Sequence, residues 1–443
     1  MRKLTVATLL AALLVASGVF AQQKSGKDSV YEELNFFDEA FERIRQDSVD
    51  PVSDTKLIGA AISGMLSGLD PRSSFINEDA FKALQKPAND NEASLGLVVT
   101  IENGQLKVIS PEDGSPAAAA GLKPGDLIFS IDKEPAYDLT LSEAEQKLRG
   151  PVGSEVVLNL RRGNESPVDV KIKREPYKLQ TVTAHVEAGN IGYLRIAGFD
   201  SGTQAALAGA IEDLRQRTGN KVIGFILDLR NNPGGSFDAA VATADALLDK
   251  GDIVVVKGRK PDNTKKISAT PGDLAKGLPL VTLVNGGTAR EAELVAGALQ
   301  DNHRAMLLGS KTFGESSIEN LIPLASGGAI RLTTTRFATP NGHEIQGKGI
   351  EPDLGVTPLK LAKLGHGEGR HEADLPGALK NPDQPTTPAK PPAEAPPGAT
   401  ATPAPEAAPS VATGDIGTAN DEQLIQAIDV LRGLSLIGRR VSG

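Results

Sequence analysis

Apolar residues near the start of the chain recur at the helical period. From Val30 to Leu84 the pattern predicts helices. The first carries Leu34, Phe37, Phe41 and Ile44 at spacings of three and four, and a second over Asp54–Ser67 aligns Leu57, Ile58, Ala61, Ile62, Met65 and Leu66. Asp70 follows as a helix-ending turn residue. Further on the period changes. Ile191–Ile196, Val222–Leu229, Val281–Val284 and Ala305–Leu308 read as strands, and the near-continuous apolar runs suit a sheet covered on both faces. Between them Thr203–Arg217 reads as a helix with Leu207, Ile211 and Leu214 inward. Another helix starts straight after the Asn285-Gly286-Gly287 turn, with Thr288 near its cap and Leu294, Ala298 and Leu299 on its buried face. Near the end, Leu424, Ile425, Ile428, Leu431 and Leu434 predict an amphipathic helix, capped by Asn420 with Gln423 three residues on. It is expected to dock on the body or on a partner. The fold class this implies is α+β.

Composition sharpens the picture. A chain of 443 residues is too long for one core, so several domains are expected. The net charge of −9, with no basic block, argues against nucleic acid as a partner. There is no cysteine, hence no disulfide framework or thiolate metal site. Of the five histidines only His366 and His371 are spaced like metal ligands, and their glycine-rich setting reads as solvated linker. No metal and no cofactor is expected. Residues 376–413 are rich in Pro, Ala and Thr and predict a flexible linker, within a region spanning 365–415.

Residues 1–21 read as a secretory signal. Arg2 and Lys3 form the positive region, Leu4–Val15 the apolar stretch, and Val19-Phe20-Ala21 the cleavage site. An uncleaved membrane anchor is the alternative, and either way the body is exported. The expected location is periplasmic.

Candidate chemistry concentrates between Val281 and Glu319. A strand, a glycine turn and an immediate helix present one side chain and several backbone N–H groups into a cleft, an arrangement suited to nucleophilic catalysis. Asn285-Gly286-Gly287-Thr288-Ala289-Arg290-Glu291-Ala292-Glu293-Leu294 and Thr312-Phe313-Gly314-Glu315-Ser316-Ser317-Ile318-Glu319 resemble two motifs of the carboxyl-terminal processing (tail-specific) proteases. These are serine–lysine peptidases with a built-in PDZ domain. Their motifs read N-G-G-S-A-S-A-S-E-I and T-F-G-K-G-x-V-Q. The resemblance puts Arg290 at the nucleophile position, Glu315 at the base position and Glu319 at that of a supporting glutamine. It also implies supporting roles for Glu293, Asp301 and Thr312. Asp228-Leu229-Arg230-Asn231-Asn232-Pro233-Gly234-Gly235 resembles the family's D-L-R-x-N-x-G-G loop, implying oxyanion donors from Gly234 or Gly235 and from Glu291. Lys348 lies in a later turn and is not the dyad lysine.

The two replacements decide the chemistry. A guanidinium is permanently charged and has no lone pair to offer, so Arg290 cannot attack a carbonyl. Glu315 could accept a proton, but no hydroxyl stands at the nucleophile position to supply it. An Arg290–Glu315 ion pair across the old dyad is expected. A rescue would need Thr288, Ser316 or Ser317 as a relocated nucleophile with Lys311 as base.

Two further stretches extend the resemblance. Leu69-Asp70-Pro71-Arg72-Ser73-Ser74-Phe75 is similar to the family's L-D-P-H-S-x-Y, which belongs to amino-terminal helices that often dimerise. Ser94-Leu95-Gly96-Leu97-Val98-Val99 and Ser115–Ile128 resemble a PDZ carboxylate-binding loop and its most recognisable segment. Leu95, Gly96, Leu97 and Val98 are the implied peptide-binding residues, converging N–H groups on a C-terminal carboxylate and pairing with the peptide main chain.

The expected division is 1–21 signal, 22–87 helical region, 88–175 PDZ domain, 176–364 protease-like core, 365–415 linker and 416–443 carboxyl-terminal helix. The expected function is that of a proteolytically inactive homologue. It would bind apolar C-terminal tails of exported proteins or regulate an active relative, as a homodimer or in a mixed oligomer with an active paralogue. The alternative is an active serine-type endopeptidase with relocated groups.

Overall fold

A computed structural model of the chain describes residues 25–85, 92–102, 104–137, 139–325, 327–356, 416–417 and 421–441. The signal, the His366/His371 pair, the linker and the Asn420 cap lie outside these residues. The fold is α+β and divides into two units, Met1–Lys86 with Asn320–Leu332, and Pro87–Glu319 with Thr333–Gly443.

In the first unit helices run over Ser25–Asp47, Asp54–Ser67 and Glu78–Leu84. Asp70 ends the second helical stretch by accepting from the N–H groups of Arg72 and Ser73, each at 2.8 Å. The short strand Ser74–Ile76 interrupts the helical reading of this region and pairs antiparallel with residues 329–331. Leu34, Phe36, Phe37 and Ile44 are about half or more exposed.

The second unit is built on a six-stranded sheet. Its order is Val182–Glu187, Ile191–Ile196, Gly224–Asp228, Leu280–Val284, Met306–Gly309 and Leu354–Gly355, parallel after the first antiparallel pair. The two-residue alternation of side chains sorts the two faces. Leu194, Phe225, Leu227 and Val284 pack on the helices Thr203–Arg217, Phe237–Asp245 and Glu291–Asp301. Tyr193, Ile226, Val281, Leu283 and Leu308 face the other way and are covered by Leu424, Ala427 and Leu431 of the helix Glu422–Val441. That helix is capped by Asp421, whose carboxylate accepts from Leu424 N–H at 3.1 Å.

A second body in this unit is a β-sheet of order Leu97–Glu102, Gln105–Pro111, Leu127–Ile131, Glu155–Arg161 and Val168–Lys173, with the helix Leu141–Leu148. Thr140 and Glu143 form a capping box at that helix's start. Asp113 of this body meets Arg195 of the large sheet through two hydrogen bonds, at 2.5 and 2.8 Å. The Ser110 hydroxyl donates to Asn231 O at 2.8 Å. The small body is thereby tied to the loop that leaves the strand Gly224–Asp228.

Candidate active site

The strand Leu280–Val284 delivers the chain to Asn285, whose side chain ties two loops together. Its Oδ1 accepts from Asn231 N–H at 2.9 Å, and its Nδ2 donates to Asn231 Oδ1 at 2.8 Å. Thr288 is fully buried, its hydroxyl accepting from Asn285 N–H and donating to Leu229 O. The helix begins two residues later than Thr288 suggests, with Arg290 itself as the N-cap.

Arg290 has φ 54° and ψ −119°. A bulky residue avoids this left-handed region, and holding one there costs about 1–3 kcal/mol. The turn thus makes a sharp bend that carries the Arg290 side chain. Glu293 holds the bend. Its fully buried carboxylate accepts from Arg290 N–H at 3.0 Å, Gly314 N–H at 2.8 Å, Glu315 N–H at 2.9 Å and the Thr312 hydroxyl. Burial pushes the Glu293 carboxyl up to about 8 against the pull of these donors. One side chain therefore binds the elbow to the loop carrying the former base position.

Around Arg290 stand three carboxylates. Its Nε lies 3.5 Å from Glu315 and 3.9 Å from Glu291, and an Nη lies 3.7 Å from Glu319. The guanidinium is 24% exposed and its Nε makes no hydrogen bond. Burial works against its charge, but Glu291, Glu315, Glu319 and Glu145 outweigh that and hold its pKa above the ordinary arginine value. The structure brings Arg290, Glu315 and Glu319, the three positions singled out by the motif resemblance, together as a loose charge cluster.

The glycine loop is also occupied. Gly234 has φ 102° and Gly235 φ 146°; a Cβ on Gly234 would lie 2.3 Å from Glu291 Oε2, and one on Gly235 2.3 Å from Phe199 O. Gly234 N–H donates to Asn232 Oδ1, whereas Gly235 N–H donates to Glu291 Oε2 at 2.9 Å. Burial raises the Glu291 pKa, opposed by Arg290 and the Gly235 amide.

Lys311, the base a relocated dyad would need, is half exposed and pairs with Glu351 at 2.7 Å. Ser317 donates to Glu319 at 2.5 Å, and the Ser316 hydroxyl is buried without a hydrogen-bond partner. Asp301 sits at the far end of the helix and accepts from Asn341 N–H at 2.8 Å.

In the small body, among the described residues, the strand Leu97–Glu102 pairs on one side only, with Gln105–Pro111, which leaves its other edge open within the sheet. Val98 lies on that strand. Leu95 is fully buried in the core rather than lining a surface, and Leu97 is partly buried against the same core. Gly96 packs against Ser115 and Tyr177, and its N–H reaches Ser94 Oγ at 3.2 Å. Lys107 lies 5.9 Å from the Phe313 ring centroid, so this body also borders the Thr312-Phe313-Gly314 loop.

Sequence reasoning missed the charge chain behind the glycine loop. Arg230 is fully buried and pairs with Asp228 on one side and with Asp421 on the other. Arg195 joins Asp228 to Asp113, and Tyr193 donates to Asp228 at 2.7 Å. Burial would raise the Asp228 carboxyl, but Arg230, Arg195 and Tyr193 hold it below the ordinary value. The signal available was Arg230 itself, an arginine directly after an apolar strand.

The sequence matches peptidase family S41 over residues 190–356, a PDZ domain over 107–162 and the activating protease CtpB N-terminal domain over 12–80. The carboxy-terminal-processing protease of Bartonella bacilliformis is 42% identical over 359 residues, covering 80% of this chain and 82% of that protein. The carboxy-terminal processing protease CtpA of Bacillus subtilis is 32% identical over 81% of this chain and 76% of its own length. Among solved structures, a photosystem II D1 C-terminal processing protease superposes with a TM-score of 0.64 at 28% identity, covering 72% of this chain and 92% of that one. The chain belongs to the carboxy-terminal processing protease family.

Proposed function

We propose that this chain is a proteolytically inactive member of its family that binds apolar C-terminal tails of exported proteins through its PDZ domain, or regulates an active relative. The observation that carries this reading is the Arg290 guanidinium at the elbow, surrounded by Glu291, Glu315 and Glu319. No hydroxyl stands there to lose a proton, and Lys311 is turned to a surface partner. The amino-terminal signal reading supports a periplasmic location, and the exposed Leu34, Phe36 and Phe37 support pairing with a second copy or an active paralogue.

The open edge of Leu97–Glu102 supports tail capture by strand addition. Gly96 is a poor probe of it, because a Cβ there would lie 2.2 Å from Ser115 Cβ. Leu97→Glu is the better one. It should abolish binding of a peptide with an apolar C-terminus in a calorimetric titration, and unchanged affinity would place binding elsewhere. Incubation with β-casein tests inactivity: the full chain should leave it intact, and metal-free cleavage would overturn the reading.

A further inference from the structure

We propose that Glu291 is the resident ligand of the Gly235 amide in the glycine loop, so that the site is an anion receptor filled by the chain's own carboxylate. The proposal rests on the inactive reading above and deepens it. One of the donors expected to face a developing oxyanion, Gly235 N–H, donates to the Glu291 carboxylate at 2.9 Å. That side chain is only 4% exposed. Gly234 packs so closely on it that a single added carbon would meet Oε2 at 2.3 Å. Arg290 supplies a cation on the flank, and the group sits on the first turn of an 11-residue helix whose N–H groups favour negative charge.

An oxyanion site works because its donors are free until charge develops on the substrate. Here the Gly235 amide is already taken by the Glu291 carboxylate. A neutral peptide carbonyl is a weaker acceptor than a carboxylate and cannot displace it. The cleft is therefore closed by three substitutions rather than two. Putting serine at 290 and lysine at 315 leaves the receptor full. Emptying it by Glu291→Ala creates a site for a small carboxylate or for a peptide carbonyl oxygen.

The test has two parts. In the ¹⁵N-labelled full chain, the Gly235 amide resonance should titrate with pH above the ordinary glutamate range, and Glu291→Gln should remove that titration. In the Glu291→Ala chain, sodium acetate should shift the Gly235 amide saturably, with no such shift in the parent chain. A Gly235 amide indifferent to both changes overturns the proposal. In cleavage of β-casein, Arg290→Ser with Glu315→Lys should stay at least about 100-fold below the triple change that adds Glu291→Ala, as expected for loss of an oxyanion donor. Equal rates for double and triple overturn the resident-ligand proposal while a silent parent chain leaves the inactive reading in place. A parent chain that cleaves overturns the inactive reading instead.

Discussion

Arg230 and Asp421 lie 191 residues apart in sequence and share a bidentate ion pair in the interior, at 2.8 and 2.6 Å. Neither side chain is more than 2% exposed. Arg230 begins the loop that leads to Gly234 and Gly235, and Asp421 caps the helix Glu422–Val441. Gln423 adds a bond to Arg230 at 3.0 Å and donates to Val356 O at 2.8 Å. The end of the chain thus holds the base of the glycine loop.

Asp421→Ala should be strongly destabilising. Removing one partner of a buried pair leaves the other charge uncompensated, at a cost of roughly 3–5 kcal/mol. Asp228 still faces Arg230, so the lower part of that range is expected. Urea denaturation of the full chain measures it. Asp421→Asn, which keeps the shape and one acceptor, should cost less.

Arg290→Ala should destabilise more at pH 8 than at pH 5. Its guanidinium faces Glu291, Glu315 and Glu319 and opposes the rise that burial imposes on the Glu291 carboxyl, so without it that carboxyl is pushed higher still. At pH 5 part of that strain is relieved by protonation. Loss of the pair contacts should cost roughly 1–3 kcal/mol at neutral pH, with no relief of the backbone at φ 54°, since alanine keeps the Cβ. Denaturation midpoints at the two pH values read the difference.

Glu293→Gln should change the pH profile of stability with a defined sign. The folded-state carboxyl is raised to about 8 from an ordinary 4.5, so the folded protein holds the proton more tightly than the unfolded chain. Its contribution is fully present below about 4.5 and is lost as pH rises towards 8, at up to about 1.4 kcal/mol per unit. Relative to Glu293→Gln, the parent chain should lose stability across that window and run parallel outside it. Parallel curves throughout would place the carboxyl at its ordinary value.

Asp113→Ala should loosen the small body from the large sheet. It removes both hydrogen bonds from Arg195 and leaves that arginine, 8% exposed, with Asp228 as its remaining ion-pair partner at 3.5 Å. A cost of roughly 1–3 kcal/mol is expected, together with faster limited proteolysis around residues 174–181.

Much of the core was readable because local signals and packing agree. The helix Thr203–Arg217 and the strand Ile191–Ile196 fall where their periodicities place them. The glycine turn and Thr312-Phe313-Gly314 frame Arg290 and Glu315 tightly enough to bring them within 3.5 Å. What escaped was set by distance or by competition. Nothing local marks Asp421 as the partner of Arg230, since burial alone selects it. Thr288 looks like a helix cap, yet its hydroxyl already accepts from Asn285 N–H and donates to Leu229 O, and the cap falls to Arg290. Leu95 looks like groove lining, but its place before Gly96 turns it into the core. The strand Ser74–Ile76 is too short to show a period, and its pairing with residues 329–331 defines it.

The large sheet has one face roofed by helices that interleave with its strands, and the other by a helix that comes after all of them. Peeling Glu422–Val441 away would therefore wet Tyr193, Ile226, Val281 and Leu283 and strip Arg230 of Asp421 in one step, so this roof and the seat of the glycine loop stand or fall together.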